Sequence, residues 1–195
     1  MSAIFTLVQN PMDKHSIDDN RLLLGMAGWP LLDGRQGYFP DDLPRDWQFA
    51  YYSNDADCLM LSASQWQDIG IQELASWLDD VEEHFRFYLE WPNGTQAVQD
   101  LELLGDHLGG LLVDDFQEID SRWPQFRQED GGYWSDANGR PKIWVWSSLP
   151  ADLRVQRERL ERLPSGLEAL LIADGRAVPG DLGNLRRLIE LLGIA

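Results

Sequence analysis

Carboxylates, tryptophans and one arginine recur at one kind of place in this chain, directly after a short apolar run. Glu90-Trp91 follows Phe85 to Leu89, Asp114-Asp115 follows Leu111 to Val113, and Asp174, with Arg176 two residues on, follows the run from Leu167 to Ala173. Trp29 lies just beyond the run that starts at Leu22, and Ser62, Ser64 and Gln65 lie at the end of the run from Cys58. If the runs are parallel strands, these residues gather on one rim, where α/β folds place their sites. Glu90, Asp114, Asp115 and Asp174 are then the candidate catalytic groups. On a shared rim they could hold Mg²⁺ through oxygen ligands. Two of them could also act as acid and base in glycoside hydrolysis, with Trp29 and Trp91 stacking on the sugar. Trp29, Gln65, Trp91 and Arg176 are the candidate ligand-binding residues. Asp and Ser after a strand also cap the next helix or turn, a purely local role.

The elements that must position these residues follow from periodicity. Six apolar runs of 4–8 residues, Leu22–Ala27, Cys58–Ser62, Phe85–Glu90, Leu111–Asp114, Ile143–Ser147 and Leu167–Ala173, read as strands buried on both faces. Segments 71–85, 97–108 and 179–192 place apolar residues on one helical face, and Pro44 and Pro179 suit a helix's first turn. A weaker helix, with four arginines, spans 151–162. Strand alternating with helix predicts a single α/β domain over residues 1–195, built on a parallel sheet. The expected form is a small or incomplete TIM-like barrel, with an open doubly wound sheet as the alternative. Residues 115–141, carrying Trp123, Phe126, Tyr133 and Trp134, read as a long irregular connection.

A family resemblance rests on the first third of the chain. The run Leu24-Gly25-Met26-Ala27-Gly28-Trp29, followed by Gly37-Tyr38-Phe39-Pro40, Leu43-Pro44 and the pair Tyr51-Tyr52, resembles the opening of the YecE-type family of uncharacterised TIM-barrel-like proteins. Phe85-Arg86-Phe87-Tyr88-Leu89, the stretch Leu104 to Leu112 and the closing Asn184 to Gly193 resemble later pieces of it. The polar positions depart from the family pattern: Cys58 to Ser62 lacks its acid, Glu90-Trp91-Pro92 replaces its Lys before Pro, Val113-Asp114-Asp115 replaces its Gln-Leu-Pro, and Ala173-Asp174 replaces its Asn pair. The resemblance therefore implies a fold and no reaction.

Composition narrows the function classes. The 195 residues, 44% hydrophobic and 25% charged, carry a net charge of −17, as in a soluble globular protein. Residues 68–130 hold 16 acids and 3 bases, whereas residues 139–195 hold 7 acids and 9 bases. Such a surface disfavours nucleic acid as a partner, because that binding releases counterions from phosphate against Lys and Arg. No apolar run approaches the ~20 residues that span a bilayer, and Ile4 to Val8 is too short for a signal core. A cytoplasmic protein without a membrane partner is expected. Cys58 is the only cysteine and reads as a packed thiol. His15, His84 and His107 share no ligand spacing, so no metal site is read here. Neither a Gly-x-Ser-x-Gly, a phosphate loop nor a Gly-x-Gly-x-x-Gly is present, and no cofactor is implied.

Three functions follow from this reading. The first is a non-catalytic binding or protein-interaction module, including self-association through an unclosed barrel edge. The second is a hydrolase using Glu90, Asp114, Asp115 and Asp174, with or without Mg²⁺. The third is an acidic mimic of nucleic acid.

Overall fold

Eight short strands pair in chain order, and the last pairs with the first. They are β1 (Leu23–Ala27), β2 (Cys58–Leu61), β3 (Arg86–Glu90), β4 (Leu108–Val113), β5 (Gln125–Glu129), β6 (Tyr133–Ser135), β7 (Pro141–Trp146) and β8 (Ala169–Ile172). Helices α1 (Arg45–Ser53), α2 (Ala63–Ile69), α3 (Ile71–Ser76), α4 (Leu153–Leu160) and α5 (Pro179–Leu192) lie outside, with 3₁₀ segments at Trp77–Asp80 and Ala97–His107. The computed structural model describes residues 21–30, 37–95 and 97–194. The stretch with Ile4 to Val8 and His15 lies outside the described residues.

The expected architecture is corrected on two points. The sheet is a closed eight-stranded mixed β-barrel, neither an incomplete TIM-like α/β barrel of parallel strands nor an open doubly wound sheet. β6 runs antiparallel to both β5 and β7, while the other pairings are parallel. The two extra strands come from the segment read as an irregular connection. A short turn can join only antiparallel neighbours, since a parallel pair needs a crossover of a dozen or so residues. Asp130-Gly131-Gly132 makes the first turn, with both glycines at φ 83°, and Asp136 to Gly139 makes the second. In that second turn Asp136 Oδ1 accepts from the backbone of Asn138 and Arg140, both at 2.9 Å. Among the described residues no helix lies in the chain between β4 and β5 or between β5 and β7, so the helical layer there is partial. Closure also removes the free sheet edge through which self-association was expected.

Side-chain alternation sorts each strand between two apolar layers. Cys58, Met60, Tyr88, Leu112, Phe126, Trp134, Ile143, Ala169 and Leu171 fill the barrel. Leu24, Met26, Leu59, Leu61, Phe87, Leu89, Leu111, Leu170 and Ile172 point outward beneath the helices. An eight-stranded barrel is just wide enough to be filled by its own side chains. Two inward glycines show how tight the wall is. A Cβ on Gly25 would lie 1.9 Å from the Cys58 carbonyl oxygen, and one on Gly110 would lie 2.4 Å from the Phe126 ring.

Between β1 and β2 a side chain reaches into the ladder. The buried Tyr52 of α1 accepts the Met26 N–H at 2.9 Å and donates to the Cys58 carbonyl at 2.6 Å. The same helix carries Phe49 into an aromatic cluster with Trp29, Phe39, Trp77, Phe85 and Phe87 on the outer wall. Trp29, Phe39, Phe49 and Tyr52 thus serve as packing: Trp29 is 4% exposed.

At the barrel's other end, where the strands begin, the buried Asp57 holds four groups. Its carboxylate accepts from Arg21, from Arg186 of α5 and from the Leu24 N–H at 3.0–3.1 Å, and it meets His84 Nε2 at 3.1 Å. Glu82 faces the other ring nitrogen of His84, also at 3.1 Å. A buried carboxylate is tolerable only when paired and hydrogen-bonded in this way.

Tyr52→Phe removes a hydroxyl that serves two buried backbone groups across the β1–β2 seam. The expected cost is about 1–3 kcal/mol, read as a lower urea midpoint with an unchanged m-value. A variant as stable as the wild type contradicts this role.

Candidate functional site

The strand order turns the rim residues toward different places. At the end where the parallel strands finish, the barrel opens into a pocket of about 390 Å³. Glu90 at the end of β3, Asp114 after β4, Gln128 of β5, Trp134 of β6, and Ser147 and Ala173 after β7 and β8 line it, above a floor that includes Met60 and Leu112. The mouth stays open because small residues (Gly132, Ser147, Ala173) stand where the larger side chains below would close it. β6 matters here: running antiparallel, it brings its first residues, not its last, to this rim.

Glu90 and Asp114 therefore line one cavity. Glu90 is half-buried, and its Oε2 accepts the Ala63 N–H at 3.3 Å from the start of α2. Asp114 is exposed. Among the described residues neither has an Arg, Lys or His within ion-pair distance, and no such residue lines the pocket. Asp115 is exposed beside Asp114 but does not line the pocket.

Asp174 turns away from the mouth. It lines a separate pocket of about 460 Å³ by the start of α4, with Leu149, Gln156 and Arg176. Arg176 Nε and Nη2 clamp its two oxygens at 3.1 Å each, and the Arg176 and Leu149 N–H groups add bonds of 3.0 and 3.1 Å. The Arg176 side chain, followed by its backbone N–H, holds the Asp174 carboxyl well below the usual carboxylate range. This pair ties the loop after β7 to the loop after β8, and Arg176 is committed to it.

The remaining candidates have structural roles. Gln65 closes a capping box with Ser62 on α2, its Oε1 also lying 3.4 Å from the Trp29 nitrogen. Trp91 borders the mouth pocket but is 1% exposed, and its ring stacks on Trp66 with centroids 5.1 Å apart. Trp29 sits in the outer aromatic cluster and edges a groove of about 1160 Å³ between α1 and α3. That groove is larger than the mouth and lies on the outer wall, where Arg45 stands beside Asp46, Asp68, Glu73 and Asp100 among its lining residues.

Cys58 lies inside the barrel, where burial, followed by the nearby Asp57, pushes its thiol well above the ordinary value. Among the described residues no group of three His, Cys, Asp or Glu side chains is placed to hold a metal ion. Nor, among them, is any helix long and apolar enough to cross a membrane. Among the acids of residues 68–130, Glu82 and Glu83 precede β3 at one barrel end, and Asp114 and Asp115 follow β4 at the other.

Sequence reading missed Gln128, Gly132 and Trp134 as neighbours of Glu90, whereas Ser147, the end of the run Ile143–Ser147, falls on the same strand-end rim in the sequence. Asp-Gly-Gly between two aromatic-bearing segments is a hairpin signal that would have placed the first three on a strand pair.

The chain matches no protein-family model, no curated protein and no solved structure. The resemblance to the YecE-type family rests on the residues quoted for it alone.

The Asp174–Arg176 clamp makes a pH prediction. Because the folded carboxyl titrates below its unfolded value, its contribution is complete above about pH 4 and is lost as pH falls toward the folded value. Asp174→Asn is expected to be less stable than wild type at pH 7, with the gap narrowing in acid denaturation series below about pH 4. A gap independent of pH contradicts the clamp.

Proposed function

We propose that this protein is a non-catalytic binding module of the cytoplasm whose ligand site is the open mouth of the barrel. The observation that supports this reading most is the shared cavity of Glu90 and Asp114. It is concave, walled by Met60, Leu112, Trp134 and Val145, and carries a few polar groups at its rim, which is the make-up of small-molecule sites. Its volume of about 390 Å³ suits a small ligand, not a polymer chain or a protein loop.

A second reading, hydrolysis by a carboxylate pair, is favoured by the same juxtaposition of Glu90 and Asp114 and no longer draws on Asp115 or Asp174. It requires turnover of a glycoside that Glu90→Gln abolishes. The binding reading requires no turnover by either protein.

A thermal-shift panel of sugars, nucleotides, amines and carboxylates tests the binding reading, since a ligand that binds only the folded state raises the melting temperature. Ala173 is exposed at the mouth, so Ala173→Trp fills the pocket without entering the core. At least one ligand class is expected to raise the wild-type melting temperature by several degrees and to leave Ala173→Trp unmoved. A shift that survives Ala173→Trp, or no shift with any class, overturns the assignment.

A further inference from the structure

The ligand class follows from how this molecule treats its carboxylates. The two buried ones, Asp57 and Asp174, are each clamped by arginine at 3.0–3.1 Å. The two at the mouth, Glu90 and Asp114, face a common cavity with no counter-charge among the described residues. Two negative charges in a low-dielectric concavity focus a negative potential, which draws cations and repels anions.

The walls select among cations. Mg²⁺ and Ca²⁺ are held by oxygen ligands and water and gain nothing from walls such as Trp134, Met60 and Val145, which offer an indole, a thioether and methyl groups. Those surfaces suit an organic cation, whose alkyl part is buried against them and whose charge is attracted by an indole face. Gln128 and Ser147 add acceptors for N–H donors. On the reading of the mouth as a ligand site, on which this inference rests, we propose that the ligand is a small organic cation: an alkylammonium head seated between Glu90 and Asp114, with its carbon chain against Trp134.

Calorimetric titration with n-butylammonium chloride, matched against sodium chloride at equal ionic strength, tests this, with glucose and butyrate as neutral and anionic probes. Saturable binding of butylammonium alone is expected. Affinity should fall at least tenfold in Glu90→Gln and in Asp114→Asn, which keep the side-chain shape, and the wild-type tryptophan emission should change on binding. Asp114 is exposed, so its variant should fold even if Glu90→Gln does not. No saturable butylammonium binding, or binding unchanged in Asp114→Asn, overturns the proposal. Glucose or butyrate binding that Ala173→Trp abolishes, with butylammonium inert, overturns the cation while leaving the mouth as a site. Failure of every probe, in these titrations and in the wider panel, removes both.

Discussion

Pairing of β8 with β1, in register from Leu23 opposite Ala169 to Met26 opposite Ile172, closes the sheet on itself. Closure fixes the interior volume, and the residue sizes then follow. Tyr88 and Phe126 fill the interior below the mouth, and Trp134, in the same cluster, borders the mouth itself. Gly25 and Gly110 are small because a Cβ at either would meet a neighbouring strand or ring. The seam between β1 and β2 is close enough that a hydroxyl from α1 bridges them. Only at the rim where the parallel strands end does the filling stop. The cavity is the part of a tight barrel that its own side chains leave open.

Electrostatics divides the two ends by their counter-charges. Where the strands begin, Asp57 gathers Arg21, Arg186 and His84 and ties α5 to the first two strands. Arg186 also donates to the Asp55 carbonyl at 3.0 Å. Removing one partner of such a buried set typically costs about 3–5 kcal/mol, because the rest is left uncompensated. At the opposite end, Glu90 and Asp114 meet no such partner. Asp57 is neutralised within the chain, whereas Glu90 and Asp114 meet no counter-charge among the described residues.

The six strands buried on both faces were legible in the sequence because continuous apolar runs announce them. β5 and β6 were not. Among the described residues no helix flanks them in the chain, the outward residues of β5 are polar, and Phe126 and Trp134 are their main contributions to the interior. Against this stood Asp130-Gly131-Gly132 and Asn138-Gly139, turn signals strong enough to have implied a hairpin pair and hence a mixed barrel. The strand-end rule found Glu90 and Asp114. It misplaced Asp174, whose bonds to Arg176 and to the Leu149 N–H draw it outward, and Trp29, which the aromatics of α1 draw into the outer layer. Spacing along a chain does not record which face a loop residue takes once a buried N–H or an aromatic cluster competes for it.

Placing the ligand at the mouth, between Glu90 and Asp114, is our proposal. It is tested most directly by mapping amide and indole resonances during an alkylammonium titration. Shifts are expected to concentrate at Gly132, the Trp134 indole, Ser147 and Ala173, with the Asp57 end and the α1–α3 groove unchanged. Shifts centred on Gly70 and Trp77 of that groove, or on His84 beside Asp57, would contradict it.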